Sequence, residues 1–475
     1  MAEKNSLVNV HSKLTVVSSR PIGPGKTHQL SPLDHAMGRH SIHIVFYYRT
    51  NPFLDCSDLA SLRVSLSELL CSYPPVTGRL AAQQPAEDSH GGGGGDNYWV
   101  VKCNDAGVRM LRAKVGATLD EWLGFGSGSD ERDLTVWEEM PDDPSIWSPF
   151  CIQISDFEGG GLAIGLSCSH MHADQTSATL LVKSWAELQR GEPISQPPVF
   201  HQFPTPDSKP SPKTNTMLSK FYASKPKDHV PKRQMATATF RFPDAKMKQC
   251  LSEIHMECPD ATPFDVLLAL FWTRVVRLNP PVEQNHSHYL TICRDSRKLI
   301  HPPLPIGYFG NALHFSRLSL DTEALQSWGL ECVAGKVHNH VASVEEEELC
   351  SVMDCFERKK GEELERYELP FVMYGPELTC VSLEHMIIPG GPKGSTTTCE
   401  SLMYEAMFRK DEKPVHVSYH VGNVEGEGLI TVMPSPEGGL GRTVTVTLPV
   451  DQIAKLCEDE AVLDLDPTML MNGKR

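Results

Sequence analysis

Residues 192–232 are rich in Pro, Ser and Lys and poor in apolar side chains. A structureless connection much beyond about 15 residues is uncommon inside one compact domain. This stretch therefore reads as a crossover between two halves, each of which must bury a core of its own. The expected boundaries are a first domain over residues 1–191, a linker over 192–235 and a second domain over 236–475. Both halves mix strand and helix signals, so the fold class is α/β, with α+β mixed sheets.

In the first half, residues 41–48 (SIHIVFYY) are β-branched and aromatic and predict a strand. Further strands are expected at 98–102, 108–113, 151–155 and 162–167, the last two joined by the turn Gly159-Gly160-Gly161. Residues 30–38 read as a short helix opening at Ser31, with Pro32 at its first position. Residues 59–70 and 176–189 carry apolar side chains at helical spacing. Residues 83–97, with glycine from Gly91 to Gly95, read as a tolerated loop insertion, since no Lys or Thr follows as a phosphate-binding loop requires. In the second half, strands are expected at 236–242, 289–293, 377–382, 415–419, 429–433 and 442–448. Helices are expected at 246–257, 262–278, 343–359 and 451–458, the second capped by Thr262 with Pro263 first.

The charge balance narrows the function. Lys and Arg number 44 against 60 Asp and Glu, a formal net charge of −16. A nucleic-acid binder usually presents a basic face, so none is expected as a partner. The 14 cysteines include no C-x-x-C pair, which speaks against zinc ribbons and thioredoxin-like redox sites. The first ten residues lack an apolar core, so no signal peptide is expected, and free thiols fit a reducing compartment. No transmembrane segment is expected, because no run of about 18 apolar residues occurs.

One segment carries chemistry. In Ser167-Cys168-Ser169-His170-Met171-His172-Ala173-Asp174 an apolar strand meets a histidine, then an aspartate, then a helix. A histidine there suits general-base work, because its ordinary pKa lies near neutral pH. Asp174 could orient it or anchor the chain. H-x-x-x-D is a weak pattern alone and equally describes a buried, hydrogen-bonded histidine at a strand end. His172 is the rival base. His170 and His172 as a metal pair would need a third ligand that no spacing marks, so no metal is expected. A serine hydrolase is disfavoured because no G-x-S-x-G elbow is present.

The order of segments resembles the plant BAHD family of CoA-dependent acyltransferases. The landmarks are Leu30-Ser31-Pro32-Leu33-Asp34, Tyr73-Pro74-Pro75-Val76-Thr77-Gly78-Arg79-Leu80, His170-Met171-His172-Ala173-Asp174, Thr262-Pro263-Phe264-Asp265, Asp295-Ser296-Arg297 and Gly307-Tyr308-Phe309-Gly310-Asn311-Ala312. The resemblance implies two chloramphenicol-acetyltransferase-like domains joined by a long crossover, with a channel between them. It implies His170 as general base, and Asp174 turned away to pair with Arg297 in support of the motif. Acyl-CoA would be a co-substrate, with an alcohol or amine acceptor and no permanently bound cofactor. The protein would be a monomer in the cytoplasm.

Two family features are altered. The Asp-Phe-Gly-Trp-Gly motif is replaced by Tyr404-Glu405-Ala406-Met407-Phe408-Arg409, with Pro414 following, and Thr-Ser-Trp becomes Val381-Ser382-Leu383. These changes resemble the Eceriferum/Glossy-type side branch of wax biosynthesis, in particular its Eceriferum-26-like group. So do Lys102-Cys103-Asn104-Asp105-Ala106-Gly107, Leu119-Asp120-Glu121-Trp122-Leu123, Phe371-Val372-Met373-Tyr374-Gly375-Pro376 and Gly422-Asn423-Val424-Glu425-Gly426. That branch implies very-long-chain fatty acid and cuticular wax metabolism. It also implies an alternative role: a non-catalytic accessory protein of the fatty acid elongase, meeting its condensing enzyme at the periphery of the endoplasmic reticulum.

Overall fold

The computed structural model describes residues 6–21, 23, 25–53, 56–83, 98–201, 225, 233–278, 287–363, 372–388 and 400–471. The glycine run at Gly91–Gly95, most of the 192–235 connection and Phe371 lie outside the described residues.

Two large mixed sheets organise the chain. The first has six strands in the spatial order Val8–Val16, Val108–Thr118, Phe150–Glu158, Leu162–Ser169, Ser41–Tyr48 and His416–Val421. The second has seven, in the order Leu313–Asp321, Ser287–Asp295, Leu378–Ser382, Leu429–Pro434, Arg442–Pro449, Met235–Phe242 and Thr468–Leu470. The first sheet contains one parallel pair and the second two, which is the mixed-sheet class expected.

The expected division at 192–235 is crossed by one strand. His416–Val421 belongs to the far half of the chain, yet it pairs antiparallel with Ser41–Tyr48, with His420 opposite His43. Residues 236–475 therefore supply both sheets. The physical reason lies in Ser41–Tyr48, whose side chains from Ile42 to Tyr48 are all buried. Left as an edge, this apolar strand would expose a row of unpaired backbone groups. The largest hydrophobic cluster likewise spans the halves, joining Ile44, Phe46, Leu166 and Trp185 to Tyr308, Phe315, Tyr374 and Val417. A second cluster is built wholly from the far half, around Phe240, Phe271, Trp272, Ile430 and Val446.

Some elements gave little sequence signal. Val8–Val16 is an edge strand with mostly exposed or half-exposed side chains, so it lacks a buried alternation. Helix Leu330–Ala342 buries only Val333, Ala334 and Val337. The strand expected at 108–113 runs on to Thr118.

Three features position the site. Strand Leu162–Ser169 is buried at every residue and hydrogen-bonded on both sides, to Phe150–Glu158 and Ser41–Tyr48. Gly165 lets it lie close to a neighbouring turn, since a Cβ there would come within 2.1 Å of the Leu134 carbonyl. Helix Gln175–Gln189 starts five residues after His170, with Asp174 as its N-cap.

Candidate functional site

Strand Leu162–Ser169 ends on His170, and the backbone there is fixed from both sides. The His170 N–H donates to the His40 carbonyl at 3.0 Å, and Asn311 Nδ2 donates to the His170 carbonyl at 2.7 Å. The imidazole is fully buried, and its Nε2 is hydrogen-bonded to Tyr374 Oη at 2.9 Å. Burial pulls its pKa down to about 4, outweighing the opposing pull of the Asp174 charge. His170 is therefore a neutral imidazole at pH 7.

Asp174 faces away from that imidazole. Its Oδ1 accepts the Ser177 N–H at 2.8 Å, closing the helix cap. Arg297 grips it end-on, Nη1 to Oδ2 at 2.8 Å and Nη2 to Oδ1 at 3.1 Å. The Ala312 N–H adds a bond to Oδ2 at 3.0 Å. Burial alone would push the Asp174 carboxyl up, but the guanidinium and these donors hold it below the usual carboxylate range. Arg297 also donates to the Tyr308 carbonyl and to Asp295. Its own pKa is raised, because the two carboxylates outweigh the cost of burying the cation.

His170, Asp174 and Arg297, the residues singled out from sequence, thus form one buried cluster across the two halves. Five further residues hold it and were not assigned roles. Asn311 donates its side chain and its backbone N–H to Asp34 Oδ1, at 2.8 and 2.9 Å, so the short helix Pro32–Ala36 is tied to the His170 carbonyl. Gly310, at φ +145°, presents its carbonyl to the Asp174 N–H. His40 Nε2 accepts the Met373 N–H at 3.0 Å, so Nδ1 carries the proton and donates to the Gly422 carbonyl at 3.0 Å. Tyr374 follows Met373 directly. Asp34, Gly310, Asn311 and Tyr374 all fall inside the segments that carried the resemblance, but only the fold shows what they touch.

His172 is placed differently from His170. Its ring packs edge-on against Phe150, with centroids 5.8 Å apart, and neither nitrogen has a hydrogen-bond partner among the described residues. Burial lowers its pKa to about 3. Among the described residues, the cluster able to gather three metal-ligating groups is Glu257, Glu331 and Cys332, which includes neither histidine.

The altered motif segment is part of the core. Phe408 packs edge-on against Tyr48, Phe53 and Trp185, with centroids 5.9, 5.9 and 5.0 Å apart. The Tyr48 hydroxyl donates to the Ala406 carbonyl at 2.6 Å, and Arg190 reaches the Met407 carbonyl. Leu383 is likewise buried. Two clefts, of about 840 and 720 Å3, share Arg39, His40, Asn423 and Glu425 in their walls, and neither is lined by His170. His40 thus stands between these clefts and the Tyr374–His170 pair, its ring edge-on to Tyr374 at 4.9 Å.

Comparison with known proteins decides the family. The sequence signature described as the Transferase family matches residues 6–463. The chain belongs to this family, the BAHD acyltransferases. It is 24% identical to a hydroxycinnamoyltransferase of Narcissus pseudonarcissus, over 94% of this chain and 98% of that one. It is also 24% identical to Protein ECERIFERUM 2 of Arabidopsis thaliana, over 94% and 96% of the two chains. Among solved structures, vinorine synthase superposes with a TM-score of 0.69 at 21% identity, covering 96% of this chain and 98% of that chain. TRI101 of F. graminearum, complexed with coenzyme A and deoxynivalenol, gives a TM-score of 0.66 at 13% identity, covering 94% of this chain and all of the other. These are two-domain, chloramphenicol-acetyltransferase-like folds, and the family uses acyl-CoA as co-substrate. Among the described residues no helix is long and apolar enough to cross a membrane.

Proposed function

We propose that this protein transfers an acyl group from acyl-CoA to an alcohol or amine acceptor, with His170 as the base and Asp174 and Arg297 as structural support. The observation that carries this reading is the division of labour at the strand end. Asp174 is wholly engaged by Arg297, Ser177 and Ala312, while burial keeps His170 a neutral imidazole and its backbone is pinned. A neutral imidazole can accept the proton that an acceptor hydroxyl or amine loses as it attacks the thioester carbonyl. Bringing donor and acceptor together in one complex removes the need for an acyl-enzyme intermediate. The pathway we favour is cuticular wax or very-long-chain lipid metabolism, on the likeness to ECERIFERUM proteins. We place the reaction in the cytoplasm, carried out by a monomer, and the domain boundaries of 1–191, 192–235 and 236–475 go with it, His416–Val421 excepted.

The test is release of free CoA by the purified protein and its His170→Ala variant. Donors are p-coumaroyl-CoA, benzoyl-CoA and stearoyl-CoA, each with an alcohol and an amine. Acceptor-dependent release that disappears in the variant is the expected result. Equal release by both proteins, or none by either, overturns it.

A second reading is favoured by the altered core segment around Met407 and Phe408 and by Leu383 in place of tryptophan. In it the protein is a non-catalytic accessory of the very-long-chain fatty acid elongase, peripheral to the endoplasmic reticulum, as in an Eceriferum-26-like protein. Co-expression with an elongase condensing enzyme separates the two. Lengthened acyl products that persist with His170→Ala support the accessory role.

A further inference from the structure

The nitrogen that would receive the acceptor's proton already has a partner. Tyr374 Oη lies 2.9 Å from His170 Nε2, and the two rings are tilted by only 29°. An acceptor hydroxyl could reach Nε2 directly only by displacing that phenol.

Displacement is opposed by everything around Tyr374. Its carbonyl accepts the Glu425 N–H at 3.2 Å. The preceding Met373 N–H is held by His40 Nε2, and the His40 and Phe315 rings meet the Tyr374 ring edge-on at 4.9 and 5.6 Å. The side chain is fully buried. A tyrosine so clamped is a fixed part of the site. With the imidazole proton on Nδ1, the phenol donates to Nε2, and a lone pair of its oxygen can accept a hydrogen bond from a second hydroxyl or amine while that bond is kept.

We propose that Tyr374 is a catalytic residue that relays the proton between the acceptor and His170. The inference rests on the acyltransferase reading above. As the acceptor oxygen or nitrogen bonds to the thioester carbonyl carbon, its proton passes to Tyr374 Oη and the phenolic proton passes to His170 Nε2. When the tetrahedral intermediate collapses, the carbon–sulfur bond breaks. The imidazolium returns its proton through Oη to the departing CoA thiolate. The products are the ester or amide and free CoA, with tyrosine and histidine restored. Burial, and after it the neighbouring Cys293, raise the Tyr374 pKa well above its ordinary value, so the phenol remains protonated at rest, with the Gln175 side chain pulling the other way. The acceptor would come from the side of His40, which lines both clefts.

The experiment compares wild type, Tyr374→Phe and His170→Ala with the donors and acceptors named above. Phenylalanine keeps the ring contacts with His40 and Phe315 and removes only the hydroxyl. The relay predicts that Tyr374→Phe lowers kcat by about 100-fold, the usual scale for one proton-transfer group, with KM for acyl-CoA within twofold. His170→Ala abolishes turnover. In mixtures of light and heavy water, the wild-type rate should bend with deuterium fraction, as two protons in flight require. That measurement needs no variant and is unaffected by any change in folding. Tyr374→Phe at or above wild-type speed, or a straight-line dependence in wild type, overturns the relay while a dead His170→Ala leaves the acyltransferase reading standing. Wild type and His170→Ala behaving alike overturns both.

Discussion

Arg297 and Asp174 meet end-on across the two halves of the chain, two parallel N–H···O bonds of 2.8 and 3.1 Å with almost no exposure of either side chain. A pair so buried is costly to break, because removing one partner leaves a naked charge in the core. Arg297→Ala strips the cation from both Asp174 and Asp295. It should lower the unfolding free energy by about 3–5 kcal/mol, read from urea melts. Arg297→Lys should lose part of that, since an ammonium cannot form the two-pronged pair and also reach the Tyr308 carbonyl. Asp174→Asn keeps a cap for Ser177 and should be milder than Asp174→Ala, by about 1 kcal/mol. An alanine at 297 that melts like wild type would show the pair to be dispensable.

Several buried histidines set the pH dependence of stability. His170 is depressed to about 4, and His40, His172 and His416 to about 3, all chiefly by burial. The folded protein keeps these rings neutral, while the unfolded chain protonates them below about pH 6.5. The unfolded state therefore binds more protons, so stability rises with pH across this window. It is complete above about pH 6.5 and is lost as pH falls toward 4. Asp174, depressed in the folded state, adds a loss only below about pH 4. Urea unfolding between pH 7.5 and 5 should show the fall, and a flat profile there would contradict it. In turnover, rapid pH-jump assays should place the acid limb near pH 4, because His170 is already deprotonated above it.

The chemistry-bearing residues were legible because strand, motif and helix are contiguous in the chain. The apolar run over 162–167 and the cap signal at Asp174 needed only local rules. What held them was not legible. Asp34, Asn311 and Tyr374 lie 136, 141 and 204 residues from His170 or are linked to it through such long loops, and each acts by a bond that exists only once both sheets are packed. The strand at 415–419 was visible as a strand, but not its membership of the first sheet, because pairing partners leave no local pattern in a single sequence. Asn311 makes the point testable. Its side chain bonds both Asp34 and the His170 carbonyl. Asn311→Ala should cost about 1–3 kcal/mol for the buried groups left unpaired. It should also lower kcat, as His170 loses one of its two backbone restraints. Unchanged turnover in a stable Asn311→Ala protein would argue that His40 alone fixes the strand end.

His172 separates a base from a buried ring. It sits two residues from His170 and is also buried, but among the described residues its two nitrogens have no hydrogen-bond partners and its ring meets the edge of Phe150. A buried polar group that forms no hydrogen bond carries a desolvation cost with nothing to offset it. Replacing it with an apolar side chain of similar size should therefore be neutral or stabilising. His172→Leu should unfold at the same or higher urea concentration than wild type at pH 7. Below pH 6.5 its stability should fall less steeply, because one proton-binding group has gone from the unfolded chain. Acyl transfer should stay within about threefold of wild type, while His170→Ala loses it. A His172→Leu protein that folds normally but has lost turnover as completely as His170→Ala would transfer the role of base to His172.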